Sequence, residues 1–519
     1  MLSIRLVADP TGFDALVLPV RPVTPTAGGT DPNGTAPGTT LSSADDTSGG
    51  TGDAPVAELA PTTLAVPADL VAEATALLPL VELTGSAGST HLSVRPLREP
   101  ARLLLAGVGS GDESGWRSAG AAIARAAARE TSITIAMPSD VTAEAVRGLA
   151  EGLWLASYRF RLPDPSGAGD EAGTLGEVLV AVADPEAHRT ALVAAEVTAR
   201  TTRLARDLTN TPSSVKSPGW LADQVVALAA EHPELTVRVR EPAELAAEGF
   251  GGILAVGAGS ATGPRLVELT WQPADARTHV VLVGKGITFD TGGISIKPRE
   301  AMKLMRKDMA GAAAVLATTI GAAALRLPVR ITALAPLAEN MVSGSAFRPG
   351  DVVTHYGGLT SETTNSDAEG RLVLADALAY AVERLAPDLL VDVATLTGAN
   401  AVALGKRHGA LYSDNDELAE ALIDAGRQAG ELAWRMPLPN DYVEYLGSDI
   451  ADLYSAPATG AGSVTAALFL REFTGALRDR WVHIDMSAPS WAEGNDGVLA
   501  KGATGYGVRT LLRWLGGLA

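Results

Sequence analysis

The chain has 519 residues, 46% of them hydrophobic, with a formal net charge of −19 and no cysteine. That length predicts two or three domains with apolar material for sizeable cores, and the absence of cysteine excludes disulfide and thiolate-metal chemistry and fits a reducing compartment. The negative charge, with no dense Lys/Arg run to offset it, disfavours nucleic acid as a partner and suits a soluble surface.

In chain order, Leu2–Ala8 and Ala15–Val20 read as strands. Arg5 and Asp9 interrupt the first apolar stretch, and no run approaches the roughly 18 apolar residues that a membrane span needs. Neither a signal peptide nor a membrane span is expected, and the expected location is the cytoplasm. From about Pro22 to Pro55 the composition turns to Pro, Thr, Gly, Ser and Asp, which cannot bury enough apolar surface to order itself and predicts a disordered insertion. Strand and helix patterns then alternate: strands in HLSVRPL, RLLLAGVG, SITIAMP and TLGEVLVAV, helices over Trp116–Arg129 and Ala143–Ala156. This is the pattern of an α/β domain over residues 1–183. The glycine-rich turn at Gly107 lacks the dinucleotide pattern because Asp112 stands where the last glycine is needed, and Thr262 breaks the same pattern after Gly257 and Gly259. Asp184 and Pro185 form a helix start, with a connecting helix expected as far as Leu208.

Residues 209–519 read as a second α/β domain. A helix follows Ser217 and Pro218, and strands are expected at Leu235–Val239, Arg265–Trp271, Val280–Val283, Val329–Leu337 and Leu389–Leu396, with a helix over Met309–Leu325. The expected fold class is therefore α/β with two α/β domains, the C-terminal one built on a mostly parallel or mixed central sheet covered by helices on both faces. The VVLV strand breaks into GKGITFDTGGISIKP, which puts Lys285 and Asp290 on a glycine-rich loop at a strand's carboxyl end, the edge where open α/β sheets bind ligands. Lys297 follows on that loop, and Asp308 precedes a small-residue helical run. Farther on, NSDAEGRL packs Asp367, Glu369 and Arg371 into five positions. On extended backbone these side chains share a face and make a metal and anion site; the other reading is a solvated turn. The seven histidines stand singly, with no H-E-x-x-H spacing, which disfavours a histidine zinc site.

The blocks VGKGITFDTGG, SIKP, MRKDMAGAAAV, ENMVSGSAFRPGDV, NSDAEGRL, ATLTGA and AGSVTAALFLREF, in this order and spacing, resemble the leucyl aminopeptidase (cytosol aminopeptidase) family over roughly Asp184 to the C-terminus. The resemblance implies a hydrolase that removes N-terminal residues from peptides with a free amino terminus, using two divalent ions, manganese or zinc. Carried over residue by residue, Lys285, Asp290, Asp308 and Glu369 would hold one ion, and Asp290, Asp367 and Glu369 the other. Four gathered carboxylates would repel one another without cations, and hard divalent ions favour oxygen ligands. Lys285 would have to surrender its proton to act as a ligand.

By the same resemblance Lys297 stabilises the developing oxyanion. Arg371 grips a bicarbonate that moves the proton, since every carboxylate is committed to metal. Met305, Thr395 and Leu396 match lining positions of the side-chain pocket, with leucine or another largely apolar residue as the expected substrate. Two departures make that pocket more polar: Ser487 in Asp485-Met486-Ser487-Ala488 where the family has Asp-Ile-Ala-Gly, and Ser490 where methionine is common. Ser366 replaces a usual threonine. The resemblance also implies a homohexamer. Some bacterial relatives bind DNA, a role that the charge argues against. A di-metal phosphoryl hydrolase is the alternative enzyme reading. A catalytically silent binding or scaffold protein ranks last, because all seven site residues are present.

Overall fold

A computed structural model describes residues 2–10, 12–23, 57–162, 175–457 and 459–518. The low-complexity stretch expected from Pro22 to Pro55 lies outside the described residues after Val23. The described residues fall into two compact units, one within Met1–Ser157 and Glu171–Leu192, the other within Tyr158–Asp170 and Val193–Ala519.

The first unit is a seven-stranded sheet built from β1 (Ser3–Val7), β2 (Ala15–Pro22), β3 (Ala57–Leu59), β4 (Thr90–Val94), β5 (Arg102–Gly107), β6 (Ser132–Ala136) and β7 (Glu177–Ala181), in the order β1-β7-β6-β2-β5-β4 with β3 beside β2. Its helices are α1 (Ala68–Leu80), α2 (Glu113–Ala126) and α3 (Ala143–Ala156). Leu16, Leu18, Val20, Leu103 and Leu105 pack on Leu70, Ala74 and Leu78 of α1. The turn after β5 is a strand-to-helix connection: Gly109 and Gly111 take φ of +58° and +77°. Asp112 caps α2 by accepting from Gly115 N at 2.7 Å. The helix expected from Asp184 begins later. Asp184 accepts from the N–H groups of Glu186 and Ala187, which closes a turn. α4 then runs from Arg189 to Asn210.

The second unit holds a nine-stranded sheet: β8 (Leu235–Arg240), β9 (Arg265–Trp271), β10 (His279–Gly284), β11 (Gly286–Asp290), β12 (Arg330–Asn340), β15 (Leu389–Ala394), β16 (Gly409–Tyr412), β17 (Ala433–Arg435) and β19 (Trp481–Asp485). A small sheet of β13 (Val352–Thr354), β14 (Thr360–Glu362) and β18 (Leu453–Tyr454) accompanies it. The main order is β17-β16-β19-β15-β10-β12-β9-β8, with β11 beside the end of β12. Strands β19, β15, β10 and β12 run parallel, while β9 joins β12 and β16 joins β19 antiparallel, so the sheet is mixed, as the alternating pattern predicts. The helices of this unit are α5 (Pro218–Ala230), α6 (Pro242–Glu248), α7 (Gly251–Gly257), α8 (Arg299–Met302), α9 (Ala310–Ala324), α10 (Glu369–Tyr380), α11 (Ala399–Leu404), α12 (Asp416–Ala429), α13 (Gly462–Arg471) and α14 (Val508–Gly517).

The two-residue period of a strand explains why VVLV is apolar throughout. Val280 and Leu282 join one core, with α5, α9, α12 and α14. Val281 and Val283 join the other, with α7, α10 and α13. Two sequence expectations change here. GITFD is not a loop but a short strand, Gly286 pairing with Leu337 and Asp290 with Asn340. Glu369 and Arg371 are not on extended backbone but in the first turn of α10. Side chains two apart on a helix diverge by about 200°, so the shared face reasoned from a strand does not exist.

On the α7/α10 side Asp376 is fully buried and accepts from Ile253 N at 2.9 Å and Tyr356 N at 3.1 Å, with His355 Nδ1 3.1 Å away. Replacing it with alanine strands these groups, and each buried unpaired donor costs about 1–3 kcal/mol. Asp376→Ala is therefore expected to destabilise the second unit by about 3 kcal/mol or more and Asp376→Asn by less, read from the midpoint of denaturant unfolding. Equal midpoints for Asp376→Ala and the parent protein would contradict this account.

Candidate active site

The parallel strands deliver their carboxyl ends to one edge. Lys285 follows β10, Asp290 ends β11, Asn340 ends β12, Thr395 follows β15 and Asp485 ends β19. Asp308 arrives from the single turn Met305–Lys307 ahead of α9, and Glu369 opens α10. Asp367 lies in the preceding turn, where its N–H donates to Asn365 Oδ1 at 2.9 Å.

Lys285 Nζ lies 2.9 Å from Asp308 Oδ2 and 2.8 Å from Glu369 Oε1, and donates to the carbonyl of Thr395 at 2.9 Å. Lys297 Nζ is 2.8 Å from Asp290 Oδ2 and also pairs with Asp367. Thr395 Oγ1 donates to Asp308 Oδ1 at 2.7 Å. Oxygens of Asp290, Asp367 and Glu369 all fall within 4.8 Å of one another. Lys285, Asp290, Asp308 and Glu369 are buried and Asp367 is half-buried.

The glycines near this cluster have a steric reason. A side chain at Gly370 would collide with the Lys285 side chain, and Gly292, at φ +87°, could carry one only against Ser295 O.

Burial, and next the carboxylate of Glu369, raises Asp290 above the usual carboxylate range. Burial also raises Asp308, despite Lys285, and Asp367, despite Lys297. Burial would raise Glu369 too, but Lys285 and Lys297 prevail and lower it. For both lysines burial favours the neutral form, and the surrounding carboxylates overcome it and hold them charged. Four carboxylates thus face two ammonium groups. Glu369 Oε2 and Asn340 Oδ1 are buried without a hydrogen-bond partner among the described residues. An uncompensated, oxygen-rich, anionic cluster of this kind fits hard divalent cations.

Arg371 is buried, and that burial draws its pKa down to about 10. Its Nη1 donates to the carbonyl of Ser455 at 2.6 Å, while its Nε has no hydrogen-bond partner among the described residues. Met305, Thr395, Leu396 and Ser487 line one cleft with the carboxylates. Ser487 Oγ donates to the carbonyl of Thr397 at 2.5 Å, and Ser490 is buried, its hydroxyl donating to the carbonyl of Ser487.

Three residues escaped the sequence reading. Asn340 Nδ2 donates to Asp290 Oδ1 at 2.8 Å and to the carbonyl of Ser366 at 3.0 Å; its place in the block ENMVSGSAFRPGDV was the available signal. Asp485 accepts from the N–H groups of Leu396, Thr397 and Ser487 and from the Thr397 hydroxyl, fixing the loop that carries Thr395. Lys307 lines the cleft one residue before Asp308.

No histidine belongs to the metal-capable cluster found among the described residues. His355 lies between Asp376 and Ser361, a composition that resembles a nucleophilic triad, but all three are fully buried and Asp376 is engaged by backbone N–H groups. That trio is structural.

Comparison with known proteins agrees with this geometry. The family model described as cytosol aminopeptidase family, catalytic domain, matches residues 203–512, and the one for that family's N-terminal domain matches residues 55–162, so the likeness extends well before Asp184. A probable cytosol aminopeptidase of Micrococcus luteus is 45% identical over 442 residues, covering 80% of this chain and 85% of that protein. A bottromycin maturation enzyme in complex with manganese superposes with a TM-score of 0.78 at 39% identity, covering 85% of this chain and 96% of that one. A mutant of tomato leucine aminopeptidase gives a TM-score of 0.80 at 29% identity, covering 99% and 96%. With its fold, its carboxylate cluster and the match of both domains, the chain belongs to the cytosol aminopeptidase family of metallo-exopeptidases.

Proposed function

We propose that the carboxylate cluster binds two divalent ions, manganese or zinc, through Lys285, Asp290, Asp308, Asp367 and Glu369, and that the protein hydrolyses the first peptide bond of peptides with a free amino terminus. The observation that carries this reading is the meeting of Asp290, Asp367 and Glu369 oxygens within 4.8 Å beside Asp308, with Glu369 Oε2 unpartnered among the described residues. Bound there, the ions would supply acidification of a water molecule and polarisation of the amide carbonyl. The remaining work falls to side chains of this chain.

In this reading Lys285 would give up its proton and hold an ion as a neutral ligand; its contacts with Asp308 and Glu369 support that role. Lys297, the cation nearest Asp290 and Asp367, donates a hydrogen bond to the oxyanion as charge develops on the substrate carbonyl. No carboxylate of the cluster is spare as a base. Arg371 would hold a bicarbonate through the N–H groups that its bond to Ser455 leaves open, and that anion supplies a proton acceptor when bound. The anionic cluster also attracts the α-ammonium group of a peptide terminus, which favours removal of terminal residues over internal cleavage. Met305 and Leu396 offer apolar surface to a side chain such as leucine.

The direct test is release of p-nitroaniline from leucine p-nitroanilide. Activity is expected with added manganese or zinc, abolished by EDTA and restored by the metal. Glu369→Ala should lose both turnover and bound metal, measured by elemental analysis, while retaining its far-UV circular dichroism. Phosphate release from p-nitrophenyl phosphate without anilide cleavage would overturn the reading. The assigned roles separate in a second comparison at saturating metal. Lys297→Met is expected to lower kcat about 10²–10³-fold and Arg371→Ala at least about 10²-fold, both with metal still bound. Wild-type kcat in either variant would remove that residue from the mechanism.

A further inference from the structure

Four lysines line the cleft, and three of them are paired: Lys285 with Asp308 and Glu369, Lys297 with Asp290 and Asp367, and Lys406 with Glu493 at the exposed rim. Lys307 is different. No carboxylate among the described residues lies within ion-pair distance of it, and its hydrogen bond runs from Nζ to the backbone carbonyl of Ser487, 2.7 Å away. The nearby acids are engaged elsewhere. Asp308 is held by Lys285 and Thr395, and Asp485 by three backbone N–H groups and the Thr397 hydroxyl.

An ammonium group carries three donors, so two remain after the bond to Ser487. A half-buried cation whose partner is a neutral carbonyl lacks the counter-charge that makes burial favourable. Lys307 also lines the same cleft as Met305 and Leu396, to which the proposed function assigns the substrate's side chain, and it touches Ser487 there. Ser487 is small and its hydroxyl is turned to the carbonyl of Thr397, so its side chain offers the ammonium no second partner.

Resting on the proposed aminopeptidase reading, we infer that Lys307 makes this pocket selective for acidic N-terminal residues, glutamyl and aspartyl, by pairing with their side-chain carboxylate. Apolar side chains still find Met305 and Leu396, but only an acidic one supplies the missing counter-charge and takes up the unused donors.

The test compares kcat/KM for glutamyl and leucyl p-nitroanilides with the metal-loaded wild-type protein, Lys307→Met and Lys307→Arg. The wild type is expected to cleave the glutamyl substrate at least as efficiently as the leucyl one. The glutamyl-to-leucyl ratio should fall by about tenfold or more in Lys307→Met, the size of one charge-assisted hydrogen bond, and be largely kept in Lys307→Arg. A wild type that prefers leucine, or a ratio in Lys307→Met that matches the wild type, overturns the inference and leaves the aminopeptidase reading intact. Failure of the wild type on both substrates overturns the aminopeptidase reading itself, and this inference with it.

Discussion

Four carboxylates meet two ammonium groups at one edge of the sheet, and this charge imbalance is the constraint to which the rest of the catalytic unit answers. Like charges gathered out of water repel and lose hydration together. Such a cluster persists only because covalent geometry delivers its members from elements that are themselves firmly packed. Parallel strands provide that delivery, since their carboxyl ends fall at one edge while the apolar faces are covered by helices. Asp290 ends β11, Lys285 follows β10, and Glu369 opens the fully buried helix α10, where the positive end of the helix dipole favours its charge.

The neighbours of the cluster are correspondingly specialised. Asn340, at the end of β12, orients Asp290 while pairing with the backbone of Ser366, and so ties two signature segments together. Thr395 serves both partners of one ion pair, its hydroxyl bonded to Asp308 and its carbonyl to Lys285. Asp485 uses both carboxylate oxygens to hold the loop that carries Thr395. Gly370 leaves the room that Lys285 needs to reach Glu369. None of these residues has to touch a substrate for the site to depend on it, because each fixes a charge that would otherwise be pushed apart.

Two other buried polar clusters of this unit pair a histidine with an aspartate, and their burial sets them apart from the carboxylate cluster. His483 lies 2.5 Å from Asp392, which also accepts from the Trp481 indole at 2.7 Å. His355 is enclosed by Asp376, Ser361 and the rings of Phe469 and Phe473. Both sets are buried, and each imidazole is held by a buried carboxylate. The carboxylate cluster borders an open cleft and retains unpartnered oxygens. Access to a cleft, not residue type, distinguishes the carboxylate cluster from these buried look-alikes.

The order of amino acids alone carries the alternation of strands and helices, the apolar run VVLV that two helical layers cover, and the identities of Lys285, Asp290, Lys297, Asp308, Asp367, Glu369 and Arg371 as the charged members of its signature blocks. Those features are local, fixed by side-chain period and by residues close together in the chain. It did not determine the backbone that carries them. GITFD reads as a loop because its two-faced burial depends on β12, some 50 positions away in pairing. The expectation of an extended NSDAEGRL failed because α10 is stabilised by packing its whole surface in the core rather than by any local signal. The roles of Asn340, Asp485 and Lys307 were equally out of reach. An orienting hydrogen bond or an unpaired charge exists only relative to partners that tertiary structure brings near. The chain names its charged groups, but only the folded sheet edge decides which of them are paired and which are left to meet a ligand.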